Sequence, residues 1–555
     1  MEAIGRLADF FPTTRGKDMK NIFRIMLAAA TLTGFGLVTA CAASGQDSTS
    51  GPKVVYDVYH DTSLPVGEYP DERPLIPPGL RVKPLHVHAL PGAELEEPDA
   101  AEQLFTLPQP SVSILKNFDG VADSANGSVG LFVPSDSNLA VGATQVVEVI
   151  NTAYQVFSKS TGASVQSARQ ISSIFTGVSG FCGQGASGTY ADPVVLYDRA
   201  AGRWVISIIA ADSKARTGNE CVAVSTSSNA TGSYHRYVFS FGKNVFNDYP
   251  KLGVWPDAYY ASYNLFSPST FLAAEACAYN RTAMLAGTAA AAICFKNANE
   301  FTFLPSDLNG ATAPPAGEPN FFIDLFSTGA LHLFKFHVDF TTPSNSKFTG
   351  PVTISVTPFT AACGTFTNGA CIQQLGTTDL LDSLGDRLMF RLAYRNFGTH
   401  ESLVVNHAAK TSVAASGVRW YEIRSPNTTP VIFQHGTLTS GSTSLWMGSI
   451  AMDKLGDMAL GFSESSSSIH PKIAFTGRTP SDPLGTMEGI SLIFAGSGSQ
   501  TGGIVNGGDR WGDYTDMVID PSDDCSFWYV NQYIPANGDF NFHTRLASFK
   551  FSTCS

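Results

Sequence analysis

Carboxylates recur along this chain where short apolar runs begin. Asp192, Asp248, Asp386 and Asp513 each stand at the head of such a run. Hard oxygens converging from several strands could hold Ca²⁺ or present an acid of perturbed pKa. The competing role is local, each Asp bonding nearby backbone N–H groups to cap its own turn. Repetition favours the local role, because a repeated architecture needs repeated turn chemistry whereas a site needs unlike residues. Residues that break the repeat say more. Tyr249 follows Asp248, Arg387 follows Asp386, Arg510-Trp511 precedes Asp513-Tyr514, and Trp446 heads a further apolar run. Aromatic groups with Arg and Asp are a common composition for a sugar or peptide pocket. Asp248, Tyr249, Arg387, Trp446, Arg510, Trp511, Asp513 and Tyr514 are thus the candidate ligand-binding residues. The structural alternative is that Trp446 and Trp511 wedge between sheets as core.

Other chemistries find little support. His332 and His337 are an odd number of positions apart and fall on opposite faces of a strand, not as a metal pair. No Cys-x-x-Cys motif suggests zinc. Gly496-Ser497-Gly498-Ser499 lacks the Lys of a phosphate loop, and no Gly-x-Ser-x-Gly elbow is present. The formal net charge of -12, with a pI near 5.4, opposes a nucleic-acid partner.

The elements that must position these residues read as strands. Hydrophobic residues make up 43% and charged residues 15%, so a large core can sit under a lightly charged surface. From Ser111 to Ser555 one theme repeats: an apolar strand, a tight turn, and a second, often aromatic strand. The units begin at Leu139, Asp192, Asp248, Phe321, Asp386, Trp446 and Asp513, spaced by roughly sixty residues. The composition predicts an all-β fold, a β-propeller of seven blades with about four antiparallel strands each. The last unit shows only three strands, and Val112–Leu115 is predicted to supply the fourth and close the ring. Six or eight blades, or a double β-sandwich, are the alternatives, since Leu285 to Glu318 resists assignment.

The N-terminus reads as an export signal. Lys20 and Arg24 precede an apolar run from Ile25, ending in Val38-Thr39-Ala40-Cys41. Small residues before a Cys resemble the bacterial lipobox, which implies that Cys41 carries lipid, that Met19 is the true start, and that 1–40 is removed. Ala42 after Cys41 leans, by the same resemblance, towards the outer membrane. The Pro-rich acidic stretch 41–110 is expected to be an extended tether. The eight remaining Cys fall in neighbouring couples: Cys182 with Cys221, Cys277 with Cys294, Cys363 with Cys371, Cys525 with Cys554. Disulfides within local β-units suit an oxidising compartment, with pairing guessed from proximity alone.

Three segments carry a family resemblance: Asp248–Asp257, Gly417–Glu422 and Arg510–Tyr514. They resemble signatures of exported bacterial proteins similar to sialidase-type (BNR-like) β-propellers, over Ser111 to Ser555. Sialidase chemistry would need clustered Arg side chains, for which Arg387, Arg391, Arg395, Arg478 and Arg510 exist, and a Tyr–Glu pair such as Tyr249 or Tyr514 with Glu422. The family's Asp-containing box has only a partial echo at Met452–Asp457. Fold likeness does not license an activity. The expectation is a lipid-anchored cell-envelope module that binds glycan or an envelope protein, with no cofactor beyond a candidate structural Ca²⁺. A polysaccharide-active hydrolase or lyase is the alternative.

Overall fold

The computed structural model describes residues 50–555 apart from 70–80, 83–85, 87, 93–98, 124–131, 185–188, 213–216, 269, 365–368, 503–508, 540 and 555. The export segment 1–40 and Cys41 lie outside the described residues.

Strand pairing among the described residues defines a seven-bladed propeller. The innermost strands are Asn138–Val141, Thr189–Asp198, Phe246–Val254, Leu304–Asn309, Met389–Asn396, Ser444–Met452 and Asp516–Ile519. Each lies beside the next, and the last lies beside the first, so the ring is closed. From each, three further antiparallel strands run outwards. The fourth and fifth blades are fused by a parallel pairing of their innermost strands, Ser306 opposite Leu392 through Asn309 opposite Arg395.

The final blade is closed by Val112–Ala122, which pairs antiparallel with His543–Phe551, Val112 opposite Phe551. One sheet thus ties the chain's beginning to its end, and closure protects the last blade's edge. The stretch that resisted assignment divides between two blades: Ala291–Asn297 is the outer strand of the third, and Leu304–Asn309 the inner strand of the fourth. The predicted Phe321 unit is therefore the second and third strand of its blade.

The tether expectation needs correction. Lys53–Tyr56 adds a fifth strand to the third blade, and Tyr59–Thr62 a fifth to the second. Arg236 pairs with Asp61 at 2.5 Å, Arg419 with Asp99, and Ser412 Oγ donates to Glu102 at 2.7 Å. Among the described residues, Lys53–Tyr56, Tyr59–Thr62, Asp99 and Glu102 are therefore bound to the propeller. Alternating half-buried and exposed residues in Tyr59–Thr62 could pair with an open sheet edge, and such an edge exists only once the blade has formed.

The four disulfides join the expected couples, Cys182–Cys221, Cys277–Cys294, Cys363–Cys371 and Cys525–Cys554. The last fastens the C-terminus to the start of Ser526–Tyr533.

A backbone device repeats around the axis. Asp136, Asp192, Tyr249, Thr302, Met447 and Asp513, one in each of six blades, take φ between 47° and 61° at the entry to the innermost strand. In three blades this residue lies in a ladder irregularity, between Ala191 and Val194, Asp248 and Lys251, and Trp446 and Ser449. Such bulges bend a strand and re-aim its side chains. Asp enters the left-handed region more readily than most residues, which explains its recurrence at 136, 192 and 513. Two of these residues are held by an Asn of the preceding blade: Asn151 Oδ1 accepts from the Asp192 N–H at 2.7 Å, and Asn264 Oδ1 from the Thr302 N–H at 2.9 Å.

Candidate functional site

All eight predicted binding residues are brought to the strand-start end of the propeller axis or beside it, and all eight are buried. They were expected on an accessible rim; instead they plug the axis. Asp513 and Arg510 form an ion pair, and Arg510 Nε donates to Asp382 Oδ2 at 2.7 Å. Arg510 therefore sits between two carboxylates. The Trp511 N–H donates to Asp382 Oδ1 at 2.9 Å, so one buried acid holds two consecutive residues. Burial raises the Asp382 carboxyl to about 7, Arg510 opposing and Asp513 adding to the rise.

Beside this triad, Lys251 Nζ lies 3.5 Å from the centroid of the Tyr249 ring and 3.9 Å from that of Tyr514. The two rings meet edge to face at 6.1 Å. Arg387 covers Tyr249 at 4.8 Å while binding Asp386 through both oxygens, at 2.8 and 2.9 Å. It also lies over the Phe301 ring at 5.2 Å and donates to the His86 carbonyl, in the N-terminal segment, at 2.6 Å. A desolvated ammonium between two π-faces is worth about 2 kcal/mol or more. Tyr514 Oη donates to the Pro193 carbonyl at 3.0 Å, and burial among Asp136 and Asp192 pushes its phenol well above the ordinary range.

The tryptophans follow the structural alternative. Trp446 and Trp511 are fully buried with ring centroids 5.7 Å apart, and Trp511 Nε1 donates to Ser463 Oγ at 3.1 Å. They wedge neighbouring blades together. Among the candidate calcium positions, no three of Asp192, Asp248, Asp386 and Asp513 bring oxygens within 4.8 Å of one another. Asp386 and Asp513 face Arg partners, and Asp192 Oδ2 accepts from the Tyr249 N–H at 3.2 Å. The Asp248 and Asp513 positions are also not equivalent. By backbone conformation Tyr249 corresponds to Asp513, a shift of one residue that the shared Asp-Tyr pair conceals.

The Arg side chains that sialidase chemistry would need are arranged otherwise. Arg391 bridges Asp516, at 2.9 Å, and Asp307, linking the seventh, fifth and fourth blades. Arg395 pairs with Asp524 at 2.7 Å, beside a recess of about 40 Å³ at the far mouth of the axis. Arg478 binds the Thr486 carbonyl at 3.1 Å, and Glu422 binds Arg424 at 2.6 Å. The partial box does build a turn: Asp453 Oδ1 accepts from the N–H groups of Leu455, at 2.8 Å, and Asp457, at 3.0 Å.

Sequence reading missed Asp382, Lys251 and Asp509. Lys251 was visible within Asp248–Asp257 as a cation inside an apolar strand. Asp382 and Asp509 precede irregular segments and carry no repeat signal. Asp509 is fully buried, neither carboxyl oxygen has a hydrogen-bond partner, and burial with nearby Asp379 raises it to about 7.

Comparison with known proteins adds little beyond the class. No family model and no curated protein matches the chain. Among solved structures, an exo-β-1,3-galactanase from Phanerochaete chrysosporium is 10% identical over 78% of this chain and 96% of that one, with a TM-score of 0.29. An endo-arabinanase from Bacillus licheniformis is 10% identical over 62% and 93%, with a TM-score of 0.28. The WD40 domain of SCAP from fission yeast is 9% identical over 81% and 97%, with a TM-score of 0.30. The strand topology makes this chain a β-propeller; likenesses this distant carry no functional argument.

Proposed function

We propose that this protein is an exported, lipid-anchored propeller that acts as a binding module, with glycan as its ligand and the faces and seams of the blades as its contact surface. The observation that carries the reading is the state of the axis. Its Arg, Lys and Tyr side chains are buried and engaged with one another, as Arg510 is between Asp382 and Asp513. Glycoside hydrolysis needs two carboxylates facing a scissile bond, whereas these face guanidinium groups. Four disulfides favour an oxidising compartment, and the lipobox resemblance favours attachment through Cys41.

A glycan-array screen for both binding and product release tests this reading on the mature chain. Binding without turnover is expected. One observation favours the hydrolase alternative: the Asp509 carboxyl has no hydrogen-bond partner and is raised to about 7 by burial, with Asp379, Asp539 and Asp382 adding to the rise. Released sugar, abolished by Asp509→Asn with binding retained, would replace the module with the enzyme.

A further inference from the structure

The seam between the seventh and first blades holds a crevice of about 270 Å³. Its wall is one cross-strand row: Trp528 lies opposite Ser548, and Ser548 opposite Lys116. These three side chains therefore share a face of the seventh blade. The neighbouring row, Val530, Leu546 and Phe118, belongs to the apolar packing against Leu139, Val146 and Phe157 of the first blade. Trp528 belongs to that packing as well, and the space opens beside it where the wall changes from Leu546 and Phe118 to Ser548 and Lys116.

Three observations mark this gap as built for a ligand. Ser548 is 1% exposed and lines the crevice, yet its hydroxyl has no hydrogen-bond partner; a buried polar group left so costs about 1–3 kcal/mol. A register shift between Ser548 and Phe549 leaves Leu115 as the extra residue of its strand, and it also lines the crevice. Lys116 forms no ion pair among the described residues. The opposite lip is preorganised: Lys159 Nζ binds Asp520 at 2.8 Å and Ser522 at 2.7 Å, and Trp528 Nε1 donates to Asp520 Oδ2 at 3.3 Å.

We infer that this crevice binds one acidic sugar residue, a hexuronate unit of a polysaccharide. Leu115 and the Trp528 edge receive the apolar ring face, Ser548 bonds a ring hydroxyl, and Lys116 meets the carboxylate. The inference rests on the glycan-binding reading and gives it a place and a charge. It is independent of the axis.

The test titrates the mature protein with glucuronate, galacturonate and their short oligomers, with glucose as the neutral control, read by tryptophan fluorescence and calorimetry. Saturable binding of a uronate, at least tenfold tighter than glucose, is expected. Lys116→Gln should remove about tenfold of that preference, and Ser548→Val, which fills the gap, should abolish binding with the melting temperature kept. Equal affinity for glucose overturns the acidic class. Uronate binding unmoved by either change overturns the crevice while leaving the glycan module standing. A glycan-array signal with no uronate bound does the same, and silence in both overturns both. Should Ser548→Val fail to fold, Ser548→Ala with Lys116→Gln gives the same reading.

Discussion

At the scale of single residues, the axis is held by charges that water cannot reach. Removing one partner of such a pair leaves the other buried and uncompensated, which costs about 3–5 kcal/mol. Arg510→Met strands both Asp382 and Asp513, and is expected to lower the denaturation midpoint by about that free energy. A triple variant, Arg510→Met with Asp382→Asn and Asp513→Asn, should recover much of it, because no charge is then left alone. Glu148 behaves differently. It is fully buried, bound by the Val121 N–H at 2.9 Å and Thr544 Oγ1 at 2.5 Å, and burial raises it to about 8 from an ordinary 4.5. A raised pKa means the folded state holds the proton more tightly than the unfolded one. That stability is fully present below about 4.5 and is lost as pH climbs towards about 8. Glu220, also raised to about 8, acts in the same direction. Thermal melts should therefore fall between pH 5 and 8.5, and Glu148→Gln should flatten that slope while costing little at pH 5. An unchanged slope would mean the seam does not hold Glu148 as an acid.

At the scale of elements, two N-terminal additions differ in consequence. Val112–Ala122 closes the ring, whereas Lys53–Tyr56 and Tyr59–Thr62 extend blades that already have four strands. Gly120 belongs to the closing strand and passes so near Glu148 that a side chain there would strike the carboxyl. Deleting residues through Thr62 should leave a folded protein with a melting temperature lower by a few degrees, since two outer strands are lost. Deleting through Ala122 should leave the seventh blade with three strands and an exposed edge, giving aggregation or rapid proteolysis. Circular dichroism and limited proteolysis of the two truncations decide the matter. Equal behaviour would mean that ring closure does not depend on this strand.

At the scale of the whole molecule, the cross-links act blade by blade. Cys277–Cys294 joins neighbouring strands of one blade, and Cys525–Cys554 fastens the end of the chain that pairs with the closing strand. Replacing Cys525 and Cys554 by Ala should cost about 2–4 kcal/mol and first loosen the seam between the last and first blades. Hydrogen exchange should report that loosening at Val112–Ala122 and His543–Phe551. Uniform loosening around the ring would show that the bond acts on the unfolded chain alone.

The blade count, the closing strand and the disulfide couples were legible in the residues because each depends on local pattern: alternation, turn residues and nearness along the chain. The recurrent Asp residues were legible as turn chemistry for the same reason, Asp192 and Asp513 being left-handed residues at strand entries. The candidate site was legible only as a set of names. Periodicity places a residue on a strand but not in the radial position that decides whether it meets solvent or six other blades. Arg510 and Tyr514 look like a rim in sequence and are a plug in space. Their partners Asp382, Lys251 and Asp192 come from other parts of the chain, and only ring closure brings them together. The crevice beside Ser548 is likewise a property of two blades meeting, with Lys116, Trp528 and Ser548 from the seventh and Ala143, Thr144, Lys159 and Ser160 from the first. Local chemistry wrote the strands and turns; burial, pairing and exposure were decided by which blade lies next to which.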